Sequence, residues 1–194
     1  MALPATDDFN RANGGLGSNW TEYGSTNRIV SNVAQGASVS ADTFSKWNAD
    51  TFSNDQYSKY KIASTSGSMD AGPAVRIGTS GLNGCFLSTY NGTLEFAKFV
   101  SGTFSTFGIV GTATTGDIVE IHAVGTSTGN MRAFKNSVAS GTGTDSAFTS
   151  GGAGFFIYNS AAQIDDWEGG NVGGVAASSI LMSKHRYFSN LMSL

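Results

Sequence analysis

Charge, proline and cysteine are all scarce: 13% of the 194 residues are charged, and there are two Pro, two His and one Cys. One cysteine, Cys85, excludes an internal disulfide framework and any multi-cysteine metal centre, and it reads as a small buried hydrophobe. His122 is the only histidine before residue 170, which leaves no partner imidazole for a metal site. A net charge of −3 gives no electrostatic footprint for nucleic acid, so no nucleic-acid partner is expected. No apolar run has the length of a transmembrane helix, and no membrane partner is expected. The opening Met1-Ala-Leu-Pro-Ala-Thr-Asp-Asp lacks the charged and apolar regions of a secretory signal. Long-chain helix formers are few against 26 Gly and 26 Ser, which excludes a helical bundle or coiled coil.

What is present suits strands and tight turns. Short apolar or aromatic runs occupy 56–62, 71–77, 85–90, 94–100, 104–110, 117–124, 131–135, 154–158 and 163–168, separated by Gly, Asn and Ser. Asn91-Gly92 between two such runs is the strongest hairpin signal, because both residues accept positive φ. Turns at this spacing, with no helical pattern between them, predict an all-β, two-sheet antiparallel sandwich or barrel. The reading divides the chain into a β domain over 1–170 and a hinge with a C-terminal tail over 171–194.

The tail differs in texture. Gly169 to Gly174 has the composition of a flexible hinge. Beyond it Ile180, Leu181, Met182, Tyr187, Phe188, Leu191 and Met192 surround Lys184, His185 and Arg186. Up to residue 170 the chain carries 14 acidic against 9 basic side chains, whereas the tail carries bases only. The expectation is a docking tail held by a neighbouring subunit, with a copy of the same chain as a fitting partner; a tail that folds back on its own domain, or frays, is the alternative.

Chemistry-bearing patterns are sparse. Asp117 and Glu120 are three apart in a strand and point to opposite faces. Asp166 and Glu168 share a face but sit beside the hinge, so no carboxylate pair is expected across a cleft. His122 shares a strand face with Ile118, Glu120 and Val124 and reads as a surface or rim histidine. No nucleophile elbow, phosphate loop or dinucleotide motif occurs, and no cofactor, metal site or catalytic residue is implied. Asp7-Asp8 and Asp165-Asp166 are acidic pairs without the form of an EF-hand loop. Among the aromatics, Tyr57, Tyr90 and Trp47 are the candidate rings for stacking on a glycan, with core packing the alternative for each.

Four segments carry a family resemblance in order along the chain. Asp7-Asp8-Phe9-Asn10-Arg11-Ala12-Asn13-Gly14-Gly15-Leu16-Gly17-Ser18-Asn19-Trp20, Asn54-Asp55-Gln56-Tyr57-Ser58, Ala71-Gly72-Pro73-Ala74-Val75-Arg76 and Ile164-Asp165-Asp166-Trp167-Glu168-Gly169-Gly170 resemble those of concanavalin A-like, laminin-G-like jelly-roll domains of phage and bacterial proteins. The resemblance implies a jelly-roll sandwich over about 6–170 whose first and last strands adjoin, Asp7–Asn10 beside Ile164–Trp167. It also implies that Asp7, Asn10 and Arg11 fix a turn, that Gly14, Gly15 and Gly17 supply unusual φ, and that Trp20 plugs one end. The Glu-x-Asp-x-x-Glu strand of the glycosidases of this fold is absent. Together these features favour a non-enzymatic virion structural protein, a capsid decoration or fibre type. Its partners would be other virion subunits and copies of itself, and it would be made in the host cytoplasm. A carbohydrate-binding module for host or cell-surface glycans is the alternative, and a glycoside hydrolase a distant third.

Overall fold

In the segment Ile118–Ala123, Val119, Ile121 and Ala123 are fully buried while Ile118, Glu120 and His122 face outward. That alternation is the period of a half-buried strand, and it organises the whole molecule. The structure is a computed structural model that describes residues 3–64 and 70–173. Among the described residues there are sixteen strands: β1 (Ala5–Asp7), β2 (Gly14–Gly15), β3 (Trp20–Gly24), β4 (Asn27–Val30), β5 (Val33–Gly36), β6 (Thr43–Trp47), β7 (Gln56–Ser64) and β8 (Ala71–Ile77). They continue with β9 (Gly84–Ser88), β10 (Thr93–Val100), β11 (Thr103–Thr112), β12 (Ile118–Ala123), β13 (Met131–Lys135), β14 (Val138–Gly143), β15 (Gly152–Ile157) and β16 (Gln163–Asn171).

The strands form two antiparallel sheets. One runs β14-β13-β12-β7-β16-β5-β4-β2, with β1 paired to β16, and the other runs β11-β10-β9-β8-β15-β6-β3. The first and last strands pair as expected, with Asp7 opposite Trp167 and Ala5 opposite Gly169. The β9–β10 hairpin turns through Tyr90–Gly92 with Asn91 at φ 50° and Gly92 at φ 76°. Its strand ends at Ser88, so Tyr90 belongs to the turn rather than to a strand.

Between the sheets lies an aromatic centre. Trp20 stands edge-on to Trp47 at 5.1 Å and to Trp167 at 4.7 Å, and Trp47 stacks on Trp167 at 5.3 Å. Phe155 packs edge-on to both Trp20 and Phe9. Each such ring contributes about 1.5–3 kcal/mol by leaving water, and favourable pair geometry adds roughly 0.5–1.5 kcal/mol.

Two sequence expectations are corrected. Gly169 and Gly170 are not hinge: they lie in β16, paired with β1 and β7. A Cβ at Gly169 would lie 2.6 Å from the Trp167 ring, and one at Gly170 would lie 2.7 Å from the Tyr57 ring, so close approach explains these glycines. Gly17 has the expected positive φ, at 94°, but Gly14 and Gly15 form β2 without it, and the other positive φ in the opening motif is at Phe9, 51°. The tail anchors Ile180, Leu181, Met182, Tyr187, Phe188, Leu191 and Met192 lie outside the described residues.

Candidate functional site

The outward face of the nine-stranded sheet carries an ordered set of side chains. Register places Arg132, His122, Tyr57 and Gly170 in one cross-strand row over β13, β12, β7 and β16. The next row holds Phe134, Glu120, Lys59, Glu168 and Thr6. Each residue faces outward because its neighbours in sequence fill the core: Ser58 and Tyr60 on β7, Ile121 on β12 and Ala133 on β13 are buried.

The two rows are knitted together. The Tyr57 phenol donates to Glu168 Oε1 at 2.6 Å, and Lys59 Nζ lies 3.0 Å from the same oxygen. His122 Nε2 and Glu120 Oε1 are 2.5 Å apart. The imidazole centroid sits 4.6 Å from that of Phe134 and 5.5 Å from that of Tyr57, which makes three adjoining rings. Partial burial, the hydrogen bond to Glu168 and the charges of Glu168 and Glu120 push the Tyr57 phenol well above its ordinary range, so it stays protonated and remains a donor. Gly170 leaves room for the Tyr57 ring, which no larger residue does. The result is an aromatic platform edged by carboxylates, an ammonium and a guanidinium.

Beside the platform, past Glu168, lies an open cleft of about 700 Å³ lined in part by Thr6, Asp8, Arg11, Asn19 and Asp166. The opening motif builds its wall. Asp7 accepts from the Phe9 amide at 2.9 Å, from both terminal nitrogens of Arg11 at 2.6 and 3.0 Å, and from the Trp20 indole at 2.8 Å. Arg11 also donates to the Leu16 carbonyl at 2.6 Å. Asp7 and Arg11 therefore hold the turn, while the Asn10 amide donates to Asp8 Oδ1. Trp20 plugs the end of the core above them.

The expected glycan-stacking residues separate. Tyr57 stands in the platform. Trp47 is only 4% exposed and sandwiched against Trp20 and Trp167, with its indole donating to Asp50, so it presents no free ring face. Tyr90 is exposed but sits on the β9–β10 turn of the other sheet, away from Tyr57. Sequence reasoning missed Phe134, Arg132 and Lys59. Their outward alternation was readable, but which strands lie side by side was not. It also kept Glu120 and Glu168 apart, whereas the fold brings them to one row with Lys59 between, about 10 Å apart by strand spacing. Both are engaged, Glu120 with His122 and Glu168 with Tyr57 and Lys59. Among the described residues, no group of three or more His, Cys, Asp or Glu side chains is placed to hold a metal ion.

No protein-family model matches the sequence, and no curated protein matches it. Solved structures do match. The carbohydrate-binding module CBM66 from Bacillus subtilis aligns at a TM-score of 0.62 and 19% identity, covering 77% of this chain and 92% of that one. The Emp47p carbohydrate recognition domain aligns at 0.57 and 13% identity, covering 86% and 94%. A Bacillus subtilis protein with a galectin-like fold aligns at 0.55 and 12%, covering 79% and 89%. The fold is a galectin-like, concanavalin A-like jelly roll. Its structural neighbours are carbohydrate-binding modules and lectins, together with the glycoside hydrolases BuGH16Bwt at 0.55 and BlXynB at 0.52; this chain covers 39% of the latter.

Proposed function

We propose that this jelly roll binds carbohydrate on the outward face of the nine-stranded sheet, without cleaving it. The observation that carries the reading is the row geometry that joins Tyr57, His122 and Phe134 into one aromatic surface with Glu168, Lys59, Glu120 and Arg132 around it. A sugar ring has an apolar C–H face and a rim of hydroxyls. Aromatic faces take the first, and paired charged groups take the second, each able to donate to or accept from a hydroxyl. Structural neighbours described as a carbohydrate-binding module and a carbohydrate recognition domain support the same reading. The virion role expected from sequence draws no support from them.

Non-cleavage rests on the state of the two carboxylates. Glu120 and Glu168 lie on an open face, and each is already bound to neighbouring side chains, so neither is a free acid facing a free base. The test is a glycan array on the full chain, followed by titration calorimetry with the glycan selected. Tyr57→Ala and Phe134→Ala should each weaken binding at least tenfold, while Tyr90→Ala should leave it unchanged. Absence of binding to any glycan, or binding indifferent to both platform variants, overturns the proposal. Sugar release from the bound glycan overturns its non-enzymatic part.

A further inference from the structure

The cleft beside the platform continues the same cross-strand row. Phe134, Glu120, Lys59, Glu168 and Thr6 lie opposite one another in turn over β13, β12, β7, β16 and β1. Four strand spacings of about 4.8 Å make this row about 19 Å long. Its last two members, Glu168 and Thr6, also line the cleft. The aromatic rings and the cleft are therefore two ends of one surface, joined through the Lys59–Glu168 ion pair. A cleft of about 700 Å³ lies within the range of about 300–1,000 Å³ that small-ligand sites occupy.

The last strand shapes the cleft by a bulge. Asp165 lies opposite Lys61 and Glu168 opposite Lys59, so β16 holds one residue more than β7 over this stretch. Asp166 takes a φ of 49° there, and Asp165 and Asp166 both stay out of the core, whereas strict alternation would bury one of them. Asp8, from the opening turn, is a charged neighbour of the same group. Burial raises the Asp165 carboxyl, its bond from the Asp166 amide opposes this, and the charges of Asp166 and Asp8 add to the rise. Among the described residues that line the cleft, Arg11 is the one base. Its terminal nitrogens are held by Asp7 and the Leu16 carbonyl. Asp8 and Asp166 thus offer the cleft acceptors for sugar hydroxyls, and they repel a carboxylate or sulfate.

Resting on the carbohydrate reading above, we propose that the glycan site runs from the aromatic platform across Lys59 and Glu168 into this cleft. Its ligand is a neutral, linear oligosaccharide of about four hexopyranose units, since one such unit is about as long as one strand spacing. One unit stacks on the rings, the middle of the chain crosses the ion pair, and the end unit donates its hydroxyls to Asp8 and Asp166. Anionic chains are disfavoured, because a uronate or sulfate in the cleft meets two carboxylates and a guanidinium that is already engaged.

Titration calorimetry on the full chain tests it, with linear gluco-, galacto- and manno-oligosaccharides of two and six units as probes. At least one hexamer should bind at least tenfold tighter than its dimer. Ser18→Trp, at an exposed position lining the cleft, should weaken that hexamer at least tenfold and leave the dimer unchanged. The same hexamer with its C6 hydroxyls oxidised to carboxylates should bind at least tenfold more weakly than the neutral chain. Asp8→Asn combined with Asp166→Asn should narrow that gap at least threefold. A hexamer no tighter than its dimer, or a Ser18→Trp variant that binds it normally, overturns the proposal. So does equal affinity for the oxidised chain, or a gap that the two asparagines leave unchanged. If Tyr57→Ala still weakens the dimer in any of these cases, the platform reading stands alone; if no chain of either length binds, both fall.

Discussion

The Tyr57 phenol donates to Glu168 Oε1 at 2.6 Å across β7 and β16, so the residue that supplies the platform's ring is locked by a carboxylate from the last strand of the domain. The lock fixes the ring's position before any ligand arrives, which reduces the ordering cost of binding.

Removing the lock alone therefore separates orientation from stacking. Tyr57→Phe keeps the ring and loses one charged hydrogen bond, so affinity for the selected glycan should fall by about threefold to tenfold. Glu168→Gln should have an effect of similar size, whereas Tyr57→Ala loses ring and bond and should fall further. Calorimetric titration of the three variants checks the order. Equal losses for Tyr57→Phe and Tyr57→Ala would remove the stacking role.

Asp7 is the hub of the opening turn, with its side chain 8% exposed and four donors upon it. Asp7→Ala strands the guanidinium of Arg11 and the indole of Trp20. It should lower stability by about 2–4 kcal/mol, read from urea unfolding midpoints. Asp7→Asn keeps the shape and should recover part of the loss.

Arg76 is buried, and among the described residues no carboxylate forms an ion pair with its guanidinium. It donates to the carbonyls of Asn54, Phe148 and Gly125, tying three loops at one end of the sandwich. Arg76→Met leaves those carbonyls without their donor and should lower stability by about 2–4 kcal/mol. Proteolysis should then cut first in the loops near Asn54, Gly125 or Phe148.

Asp70 makes stability depend on pH. Burial, opposed by the Ser88 hydroxyl and reinforced by Glu95 and Asp42, raises its carboxyl from 3.8 to about 7 in the folded state. The folded state then binds more protons than the unfolded state between about pH 4 and 7, so this group's contribution to stability declines as pH rises through that window. The decline is about 1.4 kcal/mol per pH unit at its steepest. Asp70→Asn should flatten the slope and raise stability at pH 8 by about 1–3 kcal/mol, measured by urea unfolding from pH 4.5 to 8.

Local rules carried much of the fold. Alternation in 117–124, the positive-φ pair Asn91-Gly92 and the Ala71–Ile77 run were readable because strand burial and turn geometry are written in neighbouring residues. Strands β2 to β6 and β14 were missed. β14, Val-Ala-Ser-Gly-Thr-Gly, is mostly small and polar and lies at the edge of its sheet, and such a strand owes its form to its partner rather than to its own composition. Gly169 and Gly170 were read as hinge for the same reason: composition suggests flexibility, and only the rings of Trp167 and Tyr57 reveal close approach.

The site divides in the same way. That Tyr57, Lys59, Glu120, His122 and Phe134 face outward follows from period-two alternation within each strand, which the sequence determined by itself. That they share one surface follows from β7 pairing with β12, β12 with β13 and β7 with β16, the last joining segments more than a hundred residues apart. Register is set by burial of the opposite face against the second sheet, a property of the packed whole that no single strand encodes. Tertiary structure alone therefore decided that Trp47 is core, that Tyr57 is platform, and that Glu168 joins them to the cleft.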